Sequence, residues 1–181
     1  VFQGVDDMFA WLRRENPAQQ TAHRLYLATA ARARAPVFYT RFAVPDTIDG
    51  RFDLLSLHAF LVMESVQKGG EDASEIGTCY ATAVFSGFEG ALRDMGVSDF
   101  GLGRRIKAMA NAFYGRLEVY RGAFDDEATL RAALLRNLYR GDATREAHAT
   151  TLAPYMIVTR GRIAVSDVLA GILDFGPLPD D

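Results

Sequence analysis

The sequence predicts an all-α fold, a single irregular bundle of about six or seven helices. Three observations carry this expectation. Apolar residues recur at intervals of three and four along most of the chain, few segments alternate with the period of two that a strand would show, and glycine or proline punctuates the runs at helix-like spacings. At 181 residues with 49% hydrophobic side chains, the chain has material for a single core. A formal charge of −3 points to no polyanionic or polycationic partner, DNA included. No interior run approaches the roughly 18 apolar residues of a membrane-spanning helix. Cys79 stands alone, which excludes an internal disulfide and suits a reducing compartment. The only lysines are Lys68 and Lys107; the arginine excess fits a GC-rich genome or the recognition of phosphate and carboxylate by guanidinium forks.

Phe2-Gln3-Gly4 reads as the remnant of a cleaved tag, with Met8 the candidate native start. Residues 1–18 are therefore taken as tag remnant and N-terminal segment, 19–175 as the helical domain and 176–181 as a tail. Met8-Phe9-Ala10-Trp11-Leu12-Arg13-Arg14 sets two aromatics and a leucine before paired arginines. That composition fits two readings: peripheral contact with a membrane surface, or a terminus docked on its own domain. After the break at Asn16-Pro17, Ala22, Leu25, Tyr26, Thr29, Ala30 and Ala33 form one helical face, with Arg24, Arg32 and Arg34 opposite.

Pro36 and Pro45 then push Ala35 and Val44 towards extended backbone, so a loop is expected between them. From Gly50 the pattern turns helical, with Phe52, Leu55, Ala59, Val62 and Val66 on one row and Leu54, Leu57 and Leu61 on another. A face that wide needs neighbours on several sides, which makes this helix the post around which the others pack. It stops at Gly69-Gly70. The next helix, expected from Ser74, presents Ile76, Cys79, Tyr80, Val84, Phe88 and Leu92 inward, and Gly87 on that face suits a close crossing. Cys79 on the same face reads as a buried, inert thiol.

Gly96 closes that helix, and Val97 to Gly103 reads as a turn-rich connection before a helix opened by Arg104. That helix buries Ile106, Met109, Phe113, Leu117 and Tyr120 and shows Arg104, Arg105, Lys107 and Arg116 outward. Asp125-Asp126-Glu127 marks another helix start, with Leu130, Ala133, Leu134 and Leu138 inward. A last long helix spans about Thr144 to Thr159, kinked or divided by Pro154, before a short apolar segment from Ile163 to Leu173.

Few of these residues suggest catalysis. Asp46, Asp49 and Asp53 with His58 downstream can be offered as a haem or metal site of a small helical enzyme. Helix capping by Asp46 or Asp49, a dipole contact by Asp53 and a hydrogen-bonded interior His58 explain the same residues. No metalloprotease, di-iron, nucleophile-elbow or phosphate-loop pattern is present. Arg104-Arg105-Ile106-Lys107 can touch RNA or lipid phosphate, or be a solvated helix face. The expectation is a non-enzyme with no cofactor.

Two motifs say more. VPDT-x-DGRFD (Val44–Asp53) leads into LH-x-x-LV (Leu57–Val62), and D-M-G-V-x-D (Asp94–Asp99) is followed by R-x-K-x-M-x-x-AFYGR (Arg105–Arg116). Together, over roughly Leu25 to Asn137, they resemble the ubiquinol–cytochrome c chaperone family. The family pattern has a longer loop where this chain has Lys68-Gly69-Gly70-Glu71, and the resemblance is traced no further than Arg140. The resemblance implies an assembly factor that binds newly made cytochrome b before the haems and partner subunits of the respiratory ubiquinol–cytochrome c reductase are in place. It also implies a ribosome contact in mitochondria and, in a bacterium, work at the cytoplasmic face of the inner membrane. A client with polar loops beside apolar helices needs both kinds of contact. Asp46, Asp49, Arg51 and Asp53 are expected to bind its loops, with Phe38, Tyr39 and Phe42 offering apolar area. Lys107, Tyr114 and Arg116 form a second rim if the two motifs meet in space; otherwise AFYGR is helix packing, with Phe113 buried, Tyr114 hydrogen-bonded, Gly115 at a close approach and Arg116 paired to a carboxylate.

Overall fold

The computed structural model describes residues 16–178, and among them every regular element is helical. Helix α1 runs from Pro17 to Ala33. Asn16 starts it by accepting the Ala18 N–H at 2.9 Å while Gln19 reaches back to the Asn16 N–H, a reciprocal cap that proline at the first helical position completes. Its buried face is the expected one, apart from a half-buried Tyr26. Between the prolines the chain does not stay open: Val37–Thr40 forms a helical turn, α2. Pro36 supplies the φ of a first turn, so it nucleates the turn rather than preventing it.

Helix α3, Ile48–Lys68, is the hub. It lies against α1, against α4 (Glu71–Asp94), against α5 (Asp99–Ala123) and against a short α8 (Val165–Leu169). Leu54, Leu57, Ala59 and Val62 are wholly enclosed, as a helix apolar on nearly every side requires. Phe60 stacks on Phe124 with ring centroids 5.1 Å apart. Gly70, at φ 65, turns the chain directly into α4, which therefore begins three residues before the expected Ser74. Gly87 marks the α1–α4 crossing: a Cβ there would meet the Tyr26 hydroxyl at 1.9 Å. Nearby, Tyr80 donates to Thr29 Oγ1 at 2.9 Å, because the Thr29 hydroxyl is committed to the Leu25 carbonyl. Cys79 is half-buried against the core, less enclosed than expected.

Gly96, at φ 78, ends α4 with the Val97 N–H returning to the Leu92 carbonyl. Helix α5 then starts at Asp99, five residues before the expected Arg104, with Gly101 and Gly103 inside its opening turns. An ion pair from Arg93 to Asp99 at 2.7 Å fastens that start. Asp126 caps α6 (Glu127–Asn137) by accepting the Thr129 N–H at 2.8 Å. A 3-10 turn at Ala143–Arg145 leads into α7, Glu146–Arg162, which Pro154 does not divide. Pro154 faces solvent, where the carbonyl it strips of a partner can be hydrated.

The C-terminal stretch folds back over α1. Arg32 donates to the Phe175 and Pro177 carbonyls at 3.2 and 2.6 Å and to the Tyr155 hydroxyl at 2.9 Å. The membrane-contact segment expected at Met8–Arg14 lies outside the described residues. Among those described, no helix is long and apolar enough to cross a membrane.

Candidate functional site

The start of α3 is fastened from both sides. Thr47, in an extended conformation, caps the helix by accepting the Gly50 N–H at 3.1 Å. The capping expected of Asp46 or Asp49 falls to the residue between them. Asp49 lies in the first turn, where the dipole favours it. Asp46 instead takes a 2.6 Å bond from Arg51 Nε, which holds its carboxyl below the ordinary range. The Arg51 guanidinium also lies 6.0 Å from the centre of the Tyr39 ring. The preceding loop is anchored by Val44 N–H to the Phe38 carbonyl at 3.0 Å and by the Tyr139 hydroxyl to the Phe42 carbonyl at 2.9 Å.

One turn into α3 lies a buried ionic box. Asp53 has no exposed side-chain surface, with Arg116 Nη2 at 2.6 Å from Oδ1 and Arg140 Nη2 at 3.1 Å from Oδ2. Arg116 Nη1 also donates to the Ala112 carbonyl, and its guanidinium lies over the Phe52 ring at 5.0 Å. Arg140 sits at φ 55, in the left-handed region where residues with a side chain are strained. That conformation, followed by Gly141 at φ 78, aims Arg140 at Asp53 and, 3.5 Å away, at Asp49. Burial pushes the Asp53 carboxyl up to about 6, against the pull of Arg116 and Arg140.

Two concavities flank this helix start and share Thr47, Ile48, Phe52, Leu92 and Met109. The first, about 690 Å³, lies between α1, α3 and α4; Ala30, Leu55, Phe88 and Met95 give it an apolar lining, with Arg34, Asp46 and Arg51 among its polar groups. The second, about 520 Å³, is bordered by Arg105, Arg116 and Arg140 with Asp49. Ile48 stands between the two and is half exposed. The arrangement offers apolar area beside fixed charges, which suits holding a polypeptide segment.

A family model described as ubiquinol-cytochrome C chaperone matches residues 40–168, from before the loop to the end of the bundle, and so extends past Arg140, where the resemblance traced from sequence stops. The chain belongs to this family. Its fold is that of the Cbp3 homolog from Brucella abortus, whose crystal structure matches with a TM-score of 0.76 and 33% identity over 93% of this chain and 97% of that one. Ubiquinol-cytochrome-c reductase complex assembly factor 1 of Xenopus laevis is 23% identical over 83% of this chain and 74% of its own length. The Drosophila melanogaster and human proteins of that name are 25% and 24% identical, each over 75% of this chain. The chain spans about half their length, 55% and 46%.

In this member of the family the residues singled out from sequence divide. Asp46, Asp49, Arg51 and Tyr39 gather around the α3 start, and Arg116 joins them through Asp53. Phe38 and Phe42 do not offer surface: both are enclosed, Phe38 packing on Phe42 and on His58. Asp53 is likewise closed off by two guanidiniums, so it organises the site and does not face a partner. Lys107 and Tyr114 do not complete a second rim. At about 100° per residue they lie roughly opposite Arg116 on α5, and Tyr114 borders a different groove, beside Phe85. In AFYGR, Phe113 is buried and Arg116 is paired to a carboxylate, whereas Gly115 has no close neighbour to make room for. The sequence pattern points to neither Arg140 nor, except within a basic cluster, Arg105 as a residue of this site. Asp53 on the apolar post was the usable signal, because a buried carboxylate demands a cation from somewhere.

His58 is an interior histidine. Its Nδ1–H donates to the Leu54 carbonyl at 2.9 Å, and its ring meets Phe38 and Phe175 edge to face. Its setting is apart from Asp46 and Asp49, and among the described residues no cluster of metal-ligating side chains forms. Burial lowers His58 from about 6.5 to about 4. A depressed histidine contributes stability that is complete above pH 6.5 and lost as pH falls towards 4, of order 3 kcal/mol. Asp53, raised, does the reverse: its contribution is present below about pH 4 and lost as pH rises through 6. The two oppose each other between pH 6 and 4. Urea unfolding of His58→Gln over that range should show stability rising as pH falls, and Asp53→Asn should show it falling. Parallel profiles for the two variants would contradict the assignment.

Proposed function

We propose that this chain is an assembly chaperone that binds newly made cytochrome b during biogenesis of the respiratory ubiquinol–cytochrome c reductase. It holds the client and performs no bond-making. The observation that supports this reading most is the α3 start, where an apolar groove and an arginine-lined concavity adjoin within the family-matched region. Apolar helix surface of the client enters the groove, against Met95, Met109 and Phe88, whose flexible or flat side chains adapt to varied partners. Client loops meet Asp49 and Arg51, with Tyr39, Ile48, Arg105 and Arg140 around them. The Asp53 box keeps this surface rigid, so little ordering cost falls on binding.

The same reading places the chaperone at the cytoplasmic face of the inner membrane of a bacterium, with the ribosome as a second partner while the client is being made. Affinity capture of the tagged chain from membranes of the source organism, followed by mass spectrometry, should bring cytochrome b with it. Capture without cytochrome b, under conditions that preserve the reductase, would remove the reading.

A further inference from the structure

Lys107 and Tyr114 lie away from the α3 start, on a face of α5 that the proposed client site does not use. Taking Phe100 as origin and about 100° per residue, Arg104, Lys107, Asn111 and Tyr114 all fall within about 40° of it. All five are exposed. Phe100 is 92% exposed, beyond any other large apolar side chain described, and Tyr114 is 49% exposed. From Phe100 to Leu117 the sequence has no acidic residue, while Arg104, Arg105, Lys107 and Arg116 are basic, in a chain of net charge −3; Glu118, next on the same face, is paired with Arg121. Arg93, Arg51 and Arg160 each have carboxylate partners; Arg104 and Lys107 have none among the described residues.

We propose that this face of α5 is a docking surface for an anionic lipid bilayer. Phe100 and Tyr114 bracket the stripe and sit at headgroup depth, with Phe100 reaching furthest, and Arg104 and Lys107 between them meet lipid phosphates while their stems cover apolar area. Phe100, the most exposed of these side chains, has almost none of its surface covered by neighbours, which suits a deformable bilayer better than a shaped protein pocket. An RNA would use the same cations, yet it would leave Phe100 without a hydrocarbon environment. Met95, in the turn just before Phe100, also borders the apolar groove, so docking would open that groove beside the membrane. The surface goes beyond client binding and stands or falls separately from it.

The test is sedimentation of the full chain with vesicles of phosphatidylethanolamine and phosphatidylglycerol, against vesicles of phosphatidylcholine alone, at low and high salt. Partition should favour the anionic vesicles and weaken with salt. Phe100→Ser, and Arg104→Gln with Lys107→Gln, should each lower it roughly tenfold with unchanged helicity; Trp11→Ala should leave it unaltered. Three results would overturn the proposal: no partition to anionic vesicles, loss confined to Trp11→Ala, or α5 variants that lose binding to single-stranded RNA but keep vesicle binding. Client capture is measured on the same variants in detergent, so a failed client interaction is distinguished from a failed docking surface.

Discussion

Replacing Asp53 by alanine should destabilise the protein by about 3–5 kcal/mol, a fall in Tm of roughly 10 °C for a domain of this size. The cost does not come from losing a favourable ion pair, since buried pairs often do no better than apolar residues of the same volume. It comes from what is left behind. Arg116 is mostly covered, stacked on Phe52, and would keep its charge with no carboxylate opposite. Arg140 would be held in a strained backbone conformation with only the more distant Asp49 to meet. Asp49→Ala, by contrast, removes an exposed partner and should cost about 1 kcal/mol or less. Asp53→Leu combined with Arg116→Met should be less damaging than Asp53→Ala alone, because it removes the stranded charge. Urea unfolding checks all three; a cost near that of an exposed carboxylate for Asp53→Ala would show that the box fastens nothing.

Gly50→Ala should be destabilising by about 1–3 kcal/mol although helix propensity alone says the opposite. Alanine in place of glycine within a helix ordinarily gains about 1 kcal/mol. Here the added Cβ would stand 1.9 Å from the Pro45 carbonyl oxygen and 2.9 Å from its carbonyl carbon, both backbone atoms. The loop has little room to retreat: Val44 is buried, its N–H is bonded to Phe38, and Ala43 is already at φ 50. The clash therefore outweighs propensity, and the loop carrying Asp46 is displaced from Arg51. Thermal unfolding gives the sign directly. A stabilised Gly50→Ala would mean that Pro45 yields at no cost.

These two positions also show what the sequence makes legible and what it hides. The all-α bundle and the α1 and α3 faces follow from spacing, because a buried helix face writes its period into the chain. Element starts were harder to place. Pro36 can end one helix and begin the next, and Gly101 and Gly103 look like loop residues until an Arg93–Asp99 pair fixes the turn that contains them. The VPDTIDGRFD loop stands out by density of charge and glycine, yet the roles within it depend on distant residues. Asp53 next to a helix start reads as a dipole contact until Arg140, 87 positions away, is brought to it by a left-handed turn. Phe38 and Phe42 looked available because loops usually face solvent; Tyr139 and His58, which help enclose them, are not local. The Arg32 clamp on the C-terminal stretch spans more than 140 positions and leaves no trace in any local pattern.

The most direct measurement is the amount of cytochrome b captured per chain by Asp49→Ala combined with Arg51→Ala, beside the unaltered protein, with circular dichroism on both. Both substituted side chains are exposed, so helicity should be the same in the two samples. A several-fold drop in captured cytochrome b at equal helicity is the predicted result. Equal capture would mean that the client is held somewhere other than the start of α3.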